Sequence, residues 1–296
     1  MNNKSVKSGF GIGCIIFVVA ALIAIPVRTL QFFTVLEGGT GFYSETDWSV
    51  YLLFGVIAVS ILAILVSGFS KRKKLEYSLE ATKRPGLSSL SLIAASGLVL
   101  DAFSCLAKYS TAEPSSAVVT ESPINASQLI LMLEAVFAVL SAIYFILLWL
   151  TYLNGKSNAS KIRLLALAPV IWNILRIVMR FMRTISYIRV SDLLFEMIMI
   201  AFLILFFMAL AQATTGISAE KVEWKIGAYG LPAALLALLC FVPRLIVMLT
   251  GNSHLFYSES TVEFCDLGVA LFIIGTVLTR VTDKIPETNI INSSKE

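Results

Sequence analysis

Histidine is nearly missing: His254 is the only one in 296 residues. That excludes the HExxH zinc motif and any site built from several imidazoles. Cysteine is scarce as well. Cys14, Cys105, Cys240 and Cys265 all fall in or beside apolar segments, and none forms a CxxC pair. The pattern therefore offers no close metal-ligand pair, and the four read as small packing residues. Cys105 and Cys265 fall toward the same side, as the pair a bridge would join. The phosphate-binding GxxxxGK[ST], the dinucleotide-binding GxGxxG and the nucleophile elbow GxSxG are all missing. Gly9, Gly11 and Gly13 stand at the start of an apolar run, where glycine serves helix packing. No cofactor, metal or catalytic residue is expected from these motifs. Charge is low too: Asp, Glu, Lys and Arg make up 14% of the chain, against about a quarter in soluble domains. The basic residues are spread out and form no nucleic-acid-binding patch.

What is abundant is apolar surface: 57% of residues, with a mean hydropathy of +0.85. A water-soluble globule of this length cannot hide so much, so the lipid bilayer is the expected solvent. A helix needs about 20 apolar residues to cross the hydrocarbon core. Eight segments qualify: 10–33, 48–70, 86–106, 128–152, 162–182, 193–215, 225–249 and 262–281. Membrane barrels need alternating apolar and polar residues, and these runs lack that pattern. The expected fold is all-α, a polytopic helix bundle forming one transmembrane domain, with a disordered tail over 286–296. The first segment has the basic start of a signal peptide, but its apolar run continues past Ala20-Ala21, so it reads as an uncleaved helix.

Orientation follows from the distribution of Lys and Arg. One side collects Lys4 and Lys7, then Lys71, Arg72, Lys73, Lys74, Lys83 and Arg84. It also holds Lys156, Lys161, Arg163, Lys221, Lys225, Arg280, Lys284 and Lys295. The other side has Arg28, Lys108, Arg176, Arg180, Arg183, Arg189 and Arg244, several of them inside helices. The first side is therefore read as cytoplasmic, with both termini on it. The run Lys71–Lys74 is a topology anchor that could also meet anionic lipid head groups. The stretch 108–127, rich in Ser, Thr, Ala and Pro, reads as an exposed outer loop, and it ends in the glycosylation sequon Asn125-Ala126-Ser127.

The string Phe42-Tyr43-Ser44-Glu45 recurs as Phe256-Tyr257-Ser258-Glu259. Pro26-Val27-Arg28 precedes the first copy, Pro243-Arg244 precedes the second, and an apolar helix follows each. The fifth and sixth helices look like a degenerate copy, and the third and fourth are fainter. Four parallel-repeat hairpins are expected, related by an axis along the membrane normal rather than inverted. Convergence is the alternative, because aromatics and charges collect at the interface of any hairpin. Pro-Val-Arg with Gly38-Gly39-Thr40-Gly41-Phe42-Tyr43, and its echo near the C-terminus, resembles a class of bacterial multi-pass membrane proteins without assigned activity. The resemblance implies a bacterial inner membrane and carries over no chemistry.

Charges inside a membrane are costly unless paired, hydrated or able to snorkel, so they mark functional candidates. Arg176 lies 13 residues past Arg163, which puts it about 20 Å up a core about 30 Å thick. Asp266, 14 residues before Arg280, falls at a similar level. Arg176, Arg180 and Arg183 share a helix face that Asn173 extends inward, and Glu263 and Asp266 share another. Arg28, Arg244, Glu196, Asp101 and Glu134 fall in or near the outer third. Two readings follow for Arg28, Arg176, Arg180, Arg244, Glu196, Glu263 and Asp266. In one they form interhelical salt bridges within a membrane scaffold or sensor. In the other the arginines open outward to bind or transport a small anionic solute, because a guanidinium makes paired hydrogen bonds to carboxylate or phosphate. Pro26 and Pro243 would then free backbone carbonyls to line the path. A membrane enzyme working on a lipid-linked substrate, with Asp101, Glu134 or Asp266 as its acid or base, is the third option. The protein partners are not legible.

Overall fold

The computed structural model describes residues 11–36, 43, 47–70, 83–111, 126–155, 163–182, 190–215, 222–252 and 262–282. Outside them lie both Phe-Tyr-Ser-Glu strings except Tyr43, the Lys71–Lys74 run, most of the 108–127 stretch, Arg183, Arg189, His254 and the 286–296 tail. The described residues form eight α-helices: α1 (Gly11–Thr34), α2 (Trp48–Ser70), α3 (Pro85–Thr111), α4 (Ala126–Asn154), α5 (Ala168–Met182), α6 (Val190–Thr215), α7 (Glu223–Leu249) and α8 (Phe264–Thr282). Helices α1 to α7 are long and apolar enough to cross a membrane. Hydrocarbon offers no hydrogen bonds, so a crossing chain must satisfy its backbone within itself, and the helix does so. The protein is a polytopic membrane helix bundle.

Most boundaries match the hydropathy reading to within a few residues. The fifth differs: the helix expected from 162 begins at Ala168, after a single 3-10 turn over Leu165–Leu167. Pro169 explains this. It has no N–H and is best accommodated in the first turn of a helix. Two stop signals are glycines in the left-handed region, Gly155 (φ 67°) just after α4 and Gly251 (φ 75°) just after α7. Gly155 N–H donates to Thr151 O at 2.9 Å, which closes the last turn. By contrast α1 runs unbroken through Pro26, and α7 through Pro232 and Pro243.

Successive helices pair as antiparallel hairpins. Leu36 bridges Tyr43 between α1 and α2. The start of α3 meets the end of α4 where Arg84 N–H donates to Tyr152 O at 3.0 Å. The end of α5 meets the start of α6, and the start of α7 meets the end of α8. Laterally, α3 packs on α4, α4 on α5, α5 on α6, α6 on α7, α7 on α8, and α8 returns to α3. Six helices thus close a ring, and the α1–α2 hairpin packs outside it against α7. Within its most apolar window α7 is 72% buried, against 28% for α1 and 22% for α2, so α7 is the central helix. Outward-facing residues such as Leu22, Tyr51 and Leu62 are well exposed, as a lipid-facing surface requires.

Small residues bring α3 and α8 close together. A Cβ on Gly97 would meet Cys265 Cα at 2.9 Å, and one on Gly268 would meet Ile93 O at 3.0 Å. Without Cβ atoms the two backbones approach closely, which is how membrane helices gain packing contact without a hydrophobic drive between them. The ring interior holds phenylalanines. Phe145 of α4 stacks edge-on against Phe272 of α8 (5.0 Å between centroids) and Phe207 of α6 (6.0 Å). These three helices are not ring neighbours, so the contacts cross the middle of the ring and plug it.

Candidate functional site

Calling the end where α1 finishes the upper end, one layer near it gathers every candidate site residue named from the sequence. Arg28, Arg176, Arg180 and Arg244 are all buried. Their partners come from other helices. On the ring, Arg176 Nη2 donates to Glu263 Oε2 at 2.5 Å and lies 2.9 Å from Asp266 Oδ1. Arg180 Nη2 donates to Glu263 Oε1 at 2.6 Å, and its Nε is 2.8 Å from Glu196 Oε2, an ion pair without hydrogen-bond alignment. Arg244 Nη2 sits 2.6 Å from Glu196 Oε1 and 3.7 Å from Asp192 Oδ2. Outside the ring, Arg28 of α1 donates to Asp192 of α6 and also to Gln31 Oε1 (3.0 Å) and the Tyr43 hydroxyl (2.9 Å). The chain of contacts runs from α1 through α6, α7 and α5 to α8. Like the phenylalanines, the α5–α8 pairs cross the ring.

Helix spacing explains how so few residues do this. Arg176 and Arg180 are four apart and Asp192 and Glu196 are four apart, so each pair lies on one face. Arginine suits the arrangement because its fork serves two carboxylates at once. In a low-dielectric interior these charges are tolerable only when matched. The arginines also lie on rings: the Arg176 guanidinium is 4.7 Å from the Trp172 ring centre, and that of Arg28 is 5.0 Å from Phe32.

Two further acids belong to this neighbourhood. Asp101 of α3 accepts a hydrogen bond from Trp172 Nε1 at 2.9 Å. Glu134 of α4 is buried, and among the described residues it makes neither a hydrogen bond nor an ion pair. Lys108 and Arg176 act on Asp101 through their fields. Among the described residues of this layer, four arginines and Lys108 thus face six carboxylates. Three buried polar atoms of α5 have no hydrogen-bond partner among the described residues: Arg180 Nε, which is ion-paired, and Arg176 Nη1 and Asn173 Oδ1. Asn173 Nδ2 turns back to Pro169 O at 2.7 Å.

Sequence reasoning left Asp192 out of the site, although it precedes Glu196 by one turn. It also left out the Trp172–Asp101 bond, which joins positions 71 residues apart, and no local signal would have found that. At the lower end Arg280, read as a topology anchor, is ion-paired with Glu223, and both are largely buried. The four cysteines are free thiols, so Cys105 and Cys265 are not bridged. No protein-family model, curated protein or solved structure matches the chain.

Proposed function

We propose that the protein binds a small cation in the upper half of its helix ring and transports or senses it. The observation that carries this reading is the surplus of carboxylates, buried or half-buried, among the described residues of the layer. A layer that only held helices together would be matched charge for charge, because an unmatched buried carboxylate costs several kcal/mol. Among the described residues neither Asp101 nor Glu134 is ion-paired, and only the fields of Arg176, Arg180 and Lys108 reach them. A metal ion, an amine or a proton would offset that cost. The Lys and Arg bias puts the termini in the cytoplasm and the charged layer toward the outside, so the cation would be met from outside a bacterial inner membrane.

A second reading keeps the anionic solute. It is favoured by Arg176 Nη1, a buried donor with no protein partner, beside the open acceptor Asn173 Oδ1. Against it, each of the four described arginines of the layer already faces at least one carboxylate.

The test is a thermal-stability screen of the detergent-purified protein against metal cations, amines, carboxylates and phosphates, run beside Asp101→Asn and Arg176→Ala. A ligand that binds only the folded state raises the unfolding midpoint by mass action. A rise with a cation that Asp101→Asn removes supports the cation reading. A rise with anions alone, removed by Arg176→Ala, replaces it with the second. No rise with any compound leaves a scaffold held by its charges.

A further inference from the structure

The surplus carboxylates stand beside a thiol. Asp101 and Cys105 are four residues apart on α3 and so share a face. One carboxylate oxygen each from Asp101 and Glu134 and the Cys105 sulfur all lie within 4.8 Å of one another. Glu134 is only 7% exposed, is aimed into this group, and makes no hydrogen bond or ion pair among the described residues. A buried carboxylate placed against a second carboxylate and a thiol, with no described cation in contact and only the fields of more distant arginines, lacks a direct counter-charge.

We propose that Asp101, Cys105 and Glu134 form a binding site for a soft divalent transition-metal ion of the zinc class. This deepens the cation reading and rests on it. Tetrahedral zinc bonds of about 2.0–2.3 Å put ligand atoms about 3.5 Å apart, so rotations of the Glu134 and Cys105 side chains close the site. The thiol selects against magnesium and calcium, which take oxygen alone. Binding releases the thiol proton to water, and thiolate plus two carboxylates around a dication leave one negative charge. Lys108, three residues beyond Cys105, and Arg176 supply positive field there. Trp172 Nε1 holds one oxygen of Asp101, as outer partners of metal ligands commonly do, and leaves the other for the ion. Three protein ligands leave a fourth position for water or a solute.

The other group of this kind, Glu263 with Cys265 and Asp266, also falls within 4.8 Å. Its carboxylates already hold Arg176 and Arg180, so it has no charge left for a metal.

The experiment uses the full chain in detergent, stripped with chelator and titrated with Co2+ as a spectroscopic probe, followed by Zn2+ in competition. Wild-type protein should take up one equivalent and show thiolate-to-cobalt charge-transfer absorption that Zn2+ abolishes. Losing an outer partner of a metal ligand costs about 10–100-fold in affinity, so losing a ligand in Cys105→Ser or Glu134→Gln should weaken binding at least about a hundredfold. Cys240→Ser should leave it unchanged. Absence of the band in wild type overturns the site, and so does a band that survives both ligand variants. If the band is absent while an amine or monovalent cation still raises the unfolding midpoint, the metal site fails and the cation reading stands. If no cation of any kind has an effect, both fail.

Discussion

Replacing Glu263 and Glu134, each by Gln, should move stability in opposite directions, although both are acids of one layer. Glu263 accepts from Arg176 at 2.5 Å and from Arg180 at 2.6 Å. Glutamine keeps the volume but loses the charge and turns an N–H2 group toward a guanidinium. Removing one partner of a buried ion pair costs about 3–5 kcal/mol. Here each arginine keeps a second acid, Asp266 at 2.9 Å for Arg176 and Glu196 at 2.8 Å for Arg180. The expected loss is therefore about half of that, roughly 1.5–2.5 kcal/mol. Glu134 has no partner to lose among the described residues. Its replacement removes a buried charge and leaves a neutral amide, so the expected change runs from zero to a gain of about 1 kcal/mol.

The assay is reversible unfolding of the two variants and wild type in mixed micelles, with chelator present so that no metal contributes. The order should be Glu134→Gln at or above wild type and Glu263→Gln clearly below it. Losses of equal size in both would refute the reasoning, because Glu134 would then be a matched member of the network and the carboxylate surplus would vanish.

Further outcomes follow from other parts of the molecule. Gly268→Leu should cost about 1–3 kcal/mol by overpacking, because the new Cβ meets the backbone of α3 at Ile93 O (3.0 Å) and Ala94 Cα (3.1 Å). Gly55→Ala, with nothing within 4 Å of its Cβ, should instead gain about 0.5–1 kcal/mol of helix propensity in the same unfolding assay. Arg28→Gln should loosen the α1–α2 hairpin from α6, seen as faster amide exchange in α1 and α2 while α3 to α5 stay protected. A cycle with Asp192→Asn should give a coupling within about 0.5–3 kcal/mol. Phe145→Ala should cost about 3–5 kcal/mol through the cavity it leaves. If the ring interior is the solute path, it should also make reconstituted vesicles leaky to small ions, and tight vesicles would place the path elsewhere.

The helices were legible because a bilayer reads only length and hydropathy, and α2 came out at the expected bounds, Trp48–Ser70. Opposite charges at one level were legible too, since 1.5 Å per residue converts spacing into depth. That was enough to bring Arg176 and Arg180 to Glu263 and Asp266. It was not enough to tell which acid pairs with which arginine, because depth carries no lateral order. That order is decided by contacts such as Gly97 on Cys265 and Gly268 on Ile93, and glycines in an apolar run look alike until their neighbours are known. The same limit hid the unmatched state of Glu134 and the meeting of Asp101 with Trp172. The plug was hidden for another reason. Phenylalanine occurs 19 times, so Phe145, Phe207 and Phe272 carry no mark of their own. In α5 the apolar run outweighed Pro169, although the missing N–H of proline decides where that helix starts.

The relation between the charged layer and the phenylalanine plug limits how a cation could move. Phe145 lies 11 residues below Glu134 along α4, and Phe207 lies 11 below Glu196 along α6, about 16 Å in each case. Phe272 lies six residues below Asp266 on α8, about 9 Å. A cation held among the upper carboxylates therefore faces one to three turns of apolar ring interior below it, with no described acid to receive it until Glu223, which Arg280 already occupies. Desolvating a charge over that distance is prohibitive. Passage would require α4, α6 and α8 to separate. Two of those helices, α6 and α8, are tied at the top by the layer itself, because α8 carries Glu263 and Asp266 at or beside its start, and α6 carries Asp192 and Glu196. A cation that competes with an arginine for one of these acids would loosen the tie above the plug. Binding and opening would then be linked through the same side chains, and the arginines would be the counter-ions that keep the ring shut when the cation is absent.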